Sequence, residues 1–179
     1  MPTGNPVVIV LASGRGERFL ASGGTTSKLQ ALLAGRTVLE RTLAAVRDSQ
    51  LPWHLVDAGY PGMGDSIAAG VRATSHAPAW LILPGDLPLI QASTLRSIAA
   101  APAGLDVVVP FVQGRRGHPV RFSASCGSDL RRLTGVPGAA VVMAGRKTTQ
   151  WPVDDIGCIF DIDTLQDLQR AERLLDFRQ

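Results

Sequence analysis

The chain has 179 residues, 45% of them hydrophobic, which is enough apolar material for one substantial core and predicts a single domain over residues 1–179. Its net charge of +3 comes from basic and acidic residues spread along the chain, which argues against a nucleic-acid-binding arm and excludes nucleic acid as an expected partner. The first apolar run, at 7–12, is far shorter than the roughly twenty residues that cross a bilayer, so no membrane partner is expected.

The cysteines and the N-terminus indicate the compartment. Cys126 and Cys158 lack CxxC spacing, which indicates neither a zinc site nor a disulfide framework and fits a reducing environment. The opening residues lack the positive charge and the cleavage signal of a secretory leader. We therefore expect a soluble, cytoplasmic protein.

Short apolar runs alternate with helix-like stretches along the chain. Runs at 7–12, 55–58, 80–83 and 107–110 are typical of strands that are buried on both faces of a parallel sheet. Four stretches with helical spacing lie between or after them, marked by Leu39/Leu43/Val46, Ile67/Val71, Leu95/Ile98 and Leu165/Leu168/Leu175.

Local signals refine these elements. Thr37 with Glu40 three residues later predicts a capping box, and Asp65 or Ser66 is expected to open the second helix. The stretch GRRGHPVRF predicts a turn that feeds an extra strand or hairpin. The pattern predicts a three-layer α/β/α domain with a mostly parallel mixed sheet, Rossmann-like in its winding.

A glycine-rich loop follows the first strand, where ligands of such folds bind. Its residues are Ser13, Gly14, Arg15, Gly16, Glu17 and Arg18. Glycines let backbone N–H groups approach phosphate oxygens, and arginines donate to the same charge. Phe19 stands where a dinucleotide-binding fingerprint needs its third glycine. Lys28 is not preceded by glycine or followed by Ser or Thr, as the lysine of a P-loop is. Taken alone, the loop is more simply interpreted as a solvated connector.

Agreement among separated segments favours a phosphate-binding loop. In chain order these segments are LASGRGERF, SKLQALLAG, GMGDSIAAGV, LPGDLPLI, GRRGHPVRF, LTGVPGAAVV and DIDT. Together, over about 8–167, they resemble the molybdenum cofactor cytidylyltransferases and the related molybdopterin guanylyltransferases. The resemblance implies a nucleotidyltransferase fold of the glycosyltransferase-A-like type.

The resemblance also implies a reaction. An acceptor phosphate attacks the α-phosphorus of a nucleoside triphosphate, and pyrophosphate leaves. CTP is the expected donor and GTP the alternative, the acceptor is expected to be of molybdopterin type, and a molybdoenzyme or a chaperone is a candidate protein partner. A non-catalytic nucleotide-binding module is the alternative from another class.

Site roles follow the matched motifs. Catalytic roles are implied for Lys28, Arg18, Asp86 and Asp163. Nucleotide binding is implied for Leu11, Ala12, Ser13, Gly14, Arg15, Gly16, Arg18, Lys28, Gly64, Ser66 and Asp86. The spacer between Arg18 and Lys28 is longer than is usual in the family, and Ser13 replaces the alanine or glycine that is common there.

Mg²⁺ is the implied cofactor, with Asp86 and Asp163 as its ligands. The ion binds through one or two carboxylates and keeps several waters. Strand alternation in FDIDT would put Asp161 on the same face as Asp163, so either could be the second ligand. Purely structural roles stay open for both ligands, since Asp86 suits a turn and Asp163 suits an N-cap with Gln166 at the third following position.

Overall fold

A computed structural model describes residues 4–14 and 16–176. The predicted role of Arg15 therefore lies outside the described residues. The strands are β1 (Val7–Leu11), β2 (Leu32–Leu33), β3 (Arg36–Thr37), β4 (Trp53–Val56), β5 (Ala79–Pro84), β6 (Val107–Val112), β7 (Arg115–Arg116), β8 (Val120–Ser123) and β9 (Thr148–Pro152). The α-helices are α1 (Glu17–Ala21), α2 (Val38–Asp48), α3 (Met63–Ala73), α4 (Ala92–Ala99), α5 (Gly127–Arg131), α6 (Ala140–Ala144) and α7 (Leu165–Asp176).

Seven strands form one mixed sheet in the order β4-β1-β5-β8-β6-β7, with β9 also paired to β6. β1 is parallel to β4 and β5, and β6 is parallel to β9. β8 runs antiparallel to β5 and β6, and β7 forms a hairpin with β6. The predicted mixed, mostly parallel sheet is confirmed, and so is the hairpin at GRRGHPVRF.

Helices cover both faces of this sheet. Ile9, Trp80 and Phe122 pack towards α3, α5 and α6 on one face. Val8, Val10 and neighbouring strand residues pack towards α2 and α4 on the other face. Because the sheet is buried on both faces, its central strands are continuous apolar runs in the sequence. The sheet and the helices on its two faces form the predicted three layers.

The predicted helices are present, with one boundary corrected. Thr37 and Glu40 form the reciprocal capping box of α2. The second helix does not open at Asp65 or Ser66 but at Met63, because Gly62 already has the extended backbone of an N-cap residue. Within the described ranges, no helix is long and apolar enough to span a membrane.

Candidate functional site

The ends of β1 and β5 are joined side by side at the ligand-bearing edge of the sheet. Gly85 N donates to Leu11 O over 2.8 Å, and Thr42 Oγ1 donates to Gly85 O over 2.9 Å. A Cβ at position 85 would lie 3.0 Å from Leu11 O. The backbone segments after β1 and β5 can therefore approach closely because residue 85 is glycine. This junction fixes Asp86 beside the glycine-rich loop.

Lys28 links the two predicted metal-binding carboxylates. Its Nζ donates to Asp86 Oδ2 over 2.6 Å and to Asp163 Oδ1 over 2.9 Å. Arg18 Nη1 donates to Asp163 Oδ2 over 2.6 Å. The long spacer before Lys28 does not keep it away from the site, because Phe19 and Leu29 at its two ends are both buried in one apolar cluster that also contains Ile162.

These contacts shift the acid–base properties of the groups. Burial alone would lower the pKa of the Lys28 ammonium, but Asp86 and Asp163 outweigh it and raise that pKa above its ordinary value. Burial would raise the pKa of Asp163, but Lys28 and Arg18 lower it instead. Both groups are therefore charged at neutral pH.

The carboxylates suit a hard divalent cation. Asp86 Oδ1 is buried and has no hydrogen-bond partner in the described chain, which is costly for a carboxylate oxygen unless a ligand satisfies it. No group of three or more His, Cys, Asp or Glu side chains among residues 4–14 and 16–176 could hold an ion. Two carboxylates that leave positions for waters and phosphate oxygens match the preference of Mg²⁺.

Asp163 reaches the site from a segment without a strand, which corrects the predicted alternation in FDIDT. Ile162 N donates to Asp86 O over 3.0 Å and holds the segment beside the end of β5. Asp163 lies in contact with Lys28, whereas Asp161 is exposed and forms no described contact with it.

The alternative role of Asp163 as an N-cap, with Gln166 at the third following position, is wrong. Thr164 Oγ1 accepts from Asp167 N, and the Asp167 carboxylate accepts from Thr164 N, which is a capping box one residue further along. The Asp163 carboxylate is therefore free to face the cations.

The loop after β1 is tied to the N-terminus of α3. Ser13 Oγ lies 2.6 Å from Ser66 Oγ, and Ser66 Oγ lies 3.2 Å from Gly62 O. Ser66 is almost fully buried, so its neighbours fix its hydrogen-bonding pattern. The two predicted nucleotide-binding serines thus form one unit.

The start of α3 also packs closely against the loop formed by residues 133–138. Gly64 N donates to Gly135 O over 2.8 Å, and Gly135 N donates to the Asp65 carboxylate. A Cβ on Gly64 would lie 2.8 Å from the Thr134 carbonyl, which leaves room only for glycine. Gly64 therefore shapes this side of the site through the backbone.

These residues surround two adjoining cavities. The larger, of about 410 Å³, is lined by Leu11, Ser13, Gly14, Glu17, Lys28, Leu29, Tyr60, Pro61, Gly62, Met63, Ser66, Pro84, Gly85 and Asp86. The smaller, of about 270 Å³, is lined by Gly14, Gly16, Glu17, Arg18, Phe19, Lys28 and Asp163. Lys28 lines both cavities, whereas Asp86 lines only the larger one and Asp163 only the smaller one.

Most of the predicted residues line this region, but some lining residues were not predicted. Two described residues with a predicted nucleotide-binding role, Ala12 and Gly64, are not among the residues that line either cavity. Glu17 lines both cavities, and Tyr60 and Met63 add an apolar wall to the larger one. Glu17 lies within the loop motif, so its place in the loop was the available signal, whereas Tyr60 precedes GMGDS with no distinguishing pattern.

The mixed sheet with helices on both faces has the Rossmann-like nucleotidyltransferase fold. A nucleotidyl transferase from Methanothermobacter thermautotrophicus superposes with a TM-score of 0.81 at 21% identity over 99% of this chain and 100% of that one. A manganese complex of a protein from Mycobacterium tuberculosis H37Rv gives 0.74 at 21% identity over 94% of this chain and 98% of that one. At these identities the likeness concerns the fold.

The family follows from the sequence. The chain belongs to the MobA-like NTP transferase domain family, which matches residues 45–151. It is also 30% identical over 157 residues to the bifunctional protein GlmU of Stenotrophomonas maltophilia, a match that covers 75% of this chain and 32% of GlmU. The chain thus spans about a third of the length of that curated relative.

Proposed function

We propose that this chain is a Mg²⁺-dependent nucleotidyltransferase that transfers CMP from CTP to a phosphorylated acceptor of molybdopterin type and releases pyrophosphate. One observation carries this proposal: Lys28 bonds both Asp86 and Asp163 at the boundary of two cavities. Two carboxylates that can bind a cation, together with an adjacent lysine that can bind phosphate, suit a reaction that joins two anions.

In the proposed reaction, each side chain holds or neutralises charge. Lys28 and Arg18 bind the triphosphate oxygens and stabilise the negative charge that develops on the departing pyrophosphate. Backbone N–H groups around Gly14 and Gly16 bind the same phosphates. The acceptor phosphate attacks directly, so no nucleophilic side chain is needed.

Asp86 and Asp163 would hold the cation. When bound, it polarises the phosphoryl oxygens and draws the two anionic substrates together. The buried, unpartnered Asp86 Oδ1 supports this role. The Mycobacterium tuberculosis relative's manganese complex supports a divalent ion, and Mg²⁺ is our proposal for this chain.

The preference for CTP comes from the resemblance to the cytidylyltransferases, and the serine pair supports CTP over UTP. Gly62 O can only accept, so when Ser66 donates to it, Ser13 donates to Ser66 and keeps its lone pairs for the cavity. An acceptor there suits an amino group on the nucleobase, as cytosine has, and disfavours the carbonyl of uracil. Guanine and adenine also carry amino groups, so the serine pair argues only against a base without one; GTP is the alternative donor because the sequence also resembles the molybdopterin guanylyltransferases.

We also propose a compartment and a protein partner for this reaction. Residues 1–179 act as one domain in the cytoplasm, where the buried thiols of Cys126 and Cys158 stay reduced. A molybdoenzyme or its chaperone receives the product. A binding module without turnover is disfavoured, because it has little use for a lysine and two carboxylates held together.

A donor screen tests this function. Purified protein with Mg²⁺ and molybdopterin is assayed for pyrophosphate release with each of the four nucleoside triphosphates. We expect the highest kcat/KM with CTP, and a loss of about a hundredfold or more in Asp86→Ala, because charge stabilisation at the transition state is removed. Equal turnover of wild type and variant would refute the role of Asp86, and binding without turnover would favour the binding module.

A further inference from the structure

Cationic side chains already occupy most of the proposed metal-binding oxygens. Lys28 Nζ bonds Asp86 Oδ2 and Asp163 Oδ1, and Arg18 bonds Asp163 Oδ2. Only Asp86 Oδ1 of the four carboxylate oxygens has no protein partner in the described chain, and it is buried. A divalent ion that needs one oxygen from each carboxylate would therefore compete with a side chain of this protein.

The two cations hold their carboxylates with different strength. The Lys28 and Asp86 side chains are 15% and 14% exposed, so water screens their ion pair weakly. The Arg18 side chain is 80% exposed, and ion pairs of such groups are weak. Lys28 is thus the main competitor of a divalent ion, and Arg18 a minor one.

A bound triphosphate can release Lys28 and Arg18 from the two carboxylates. In the proposed function, Lys28 and Arg18 bind phosphate oxygens, and a side chain bonded to phosphate no longer has to neutralise the carboxylates. An entering triphosphate carries more negative charge than either carboxylate, so it can draw the ammonium away from them.

We infer that Lys28 blocks the divalent-cation site in the ligand-free protein and that the triphosphate opens it by taking Lys28 as its own partner. This inference rests on the proposed function. Cation and triphosphate then bind with positive coupling, and the coupling is reciprocal by thermodynamic necessity. The ligand-free protein accordingly binds the divalent ion weakly.

Manganese binding to the ligand-free protein tests the inference without turnover. The dissociation constant of Mn²⁺ is measured by electron paramagnetic resonance of the free ion. We expect Lys28→Met and Lys28→Gln to bind Mn²⁺ roughly tenfold more tightly than wild type, within the usual range of coupling between sites. Affinity that is equal to or weaker than wild type in both variants, with their melting temperatures preserved, would overturn the inference.

Two matched variants separate occupancy from a general effect of charge. Lys147→Met removes the only other lysine, an exposed residue that precedes β9 at the opposite edge of the sheet, and should leave the Mn²⁺ affinity unchanged. Arg18→Gln removes a charge bonded to the same Asp163 carboxylate and should tighten Mn²⁺ binding by less than about twofold, as expected for an exposed ion pair. An equal gain in Arg18→Gln and Lys28→Gln would contradict blocking by Lys28.

Two further measurements locate the effect. In the double variant Lys28→Met/Asp86→Asn the gain in Mn²⁺ affinity should disappear, and a persistent gain would overturn the inference. CTP binding measured in EDTA should be weaker in Lys28→Met than in wild type, opposite in sign to the Mn²⁺ effect, and unchanged CTP binding would contradict release by the triphosphate. Absence of pyrophosphate release with every triphosphate would instead refute the proposed function and leave the Mn²⁺ result standing.

Discussion

At the scale of single residues, the site depends on partners that each side chain finds far along the chain. Asp163 lies 135 positions from Lys28, and Ser13 lies 53 positions from Ser66. Lys28 keeps two carboxylates close together that would otherwise repel each other. In the proposed function, Ser66 donates to Gly62 O and accepts from Ser13, which sets the direction of one hydrogen bond at the wall of the larger cavity.

Substitution of Ser66 tests that direction. In Ser66→Ala, Ser13 loses its acceptor and can turn its hydroxyl proton into the cavity, where it can donate to a carbonyl. We expect the ratio of kcat/KM for CTP over UTP to fall roughly threefold to tenfold, the worth of about one hydrogen bond. The measurement is the initial rate of pyrophosphate release with each donor.

Ser13→Ala and Ser93→Ala serve as comparisons. Ser13→Ala removes the acceptor itself and should lower the same ratio, while Ser93→Ala changes a serine of α4, outside the site, and should not. A ratio that stays at the wild-type value in both Ser13→Ala and Ser66→Ala would disprove this account of donor choice.

The sequence motifs predicted which residues gather at the site, but not how they bond. Asp86, Asp163 and Lys28 were predicted from motifs, and they lie together. A helix cap stayed open for Asp163 because Asp and Thr both suit an N-cap position, and the geometry selects Thr164 with Asp167. No sequence pattern predicted the contact between Ser13 and Ser66, since a contact between distant residues depends on the whole fold.

At the scale of elements, the start of α3 is positioned by close backbone contact with the loop over 133–138. Both Gly62 and Gly64 face Gly135, and a Cβ on either would come within 3.0 Å of that loop's backbone. These glycines thus set the distance between the helix that carries Ser66 and the loop that follows α5.

Gly64→Ala tests this packing. The added methyl group would lie 2.8 Å from the Thr134 carbonyl carbon and oxygen, and backbone atoms cannot move aside cheaply. We expect the free energy of unfolding to fall by about 1 to 3 kcal/mol, as overpacking usually costs. Urea denaturation measures it.

Gly104→Ala is the matched control, because nothing lies within 4 Å of a Cβ at that position and its φ is not positive. It should change the free energy of unfolding by less than about 0.5 kcal/mol. Equal stability of Gly64→Ala and Gly104→Ala would show that the helix and the loop are not held at the distance described.

Regular elements were predictable because burial imposes a pattern on them. All four predicted strands are present, although β4 covers Trp53–Val56 instead of 55–58. The error arose because Trp53 and His54 lie in a strand at the sheet edge and are not fully buried, so they do not extend the apolar run. The segment around Asp163 was predicted as a strand because its residues alternate, yet it forms no strand and is held by tertiary contacts, among them the bond from Ile162 N to Asp86 O and the ion pair of Asp163 with Lys28.

At the scale of the whole molecule, the sheet order brings the site together. β1 and β5 are neighbours, so the glycine-rich loop and Asp86 emerge side by side, and the chain after β9 returns past β5 to deliver Asp163. Because the carboxyl ends of parallel strands share one edge, the sequence could place the first two features there. The return of the last segment depends on tertiary packing, which no local pattern reports.

In the proposed reaction, the acceptor phosphate attacks the α-phosphorus of the donor, the bond from that phosphorus to pyrophosphate breaks, and the nucleoside monophosphate is transferred. The most direct test incubates the protein and Mg²⁺ with molybdopterin and CTP carrying radioactive phosphorus at either the α or the γ position. We predict that the α label moves to the acceptor while the γ label leaves in pyrophosphate, and that Asp86→Asn lowers this transfer by about a hundredfold. Transfer of the γ label to the acceptor, or equal α transfer by Asp86→Asn, would contradict the account.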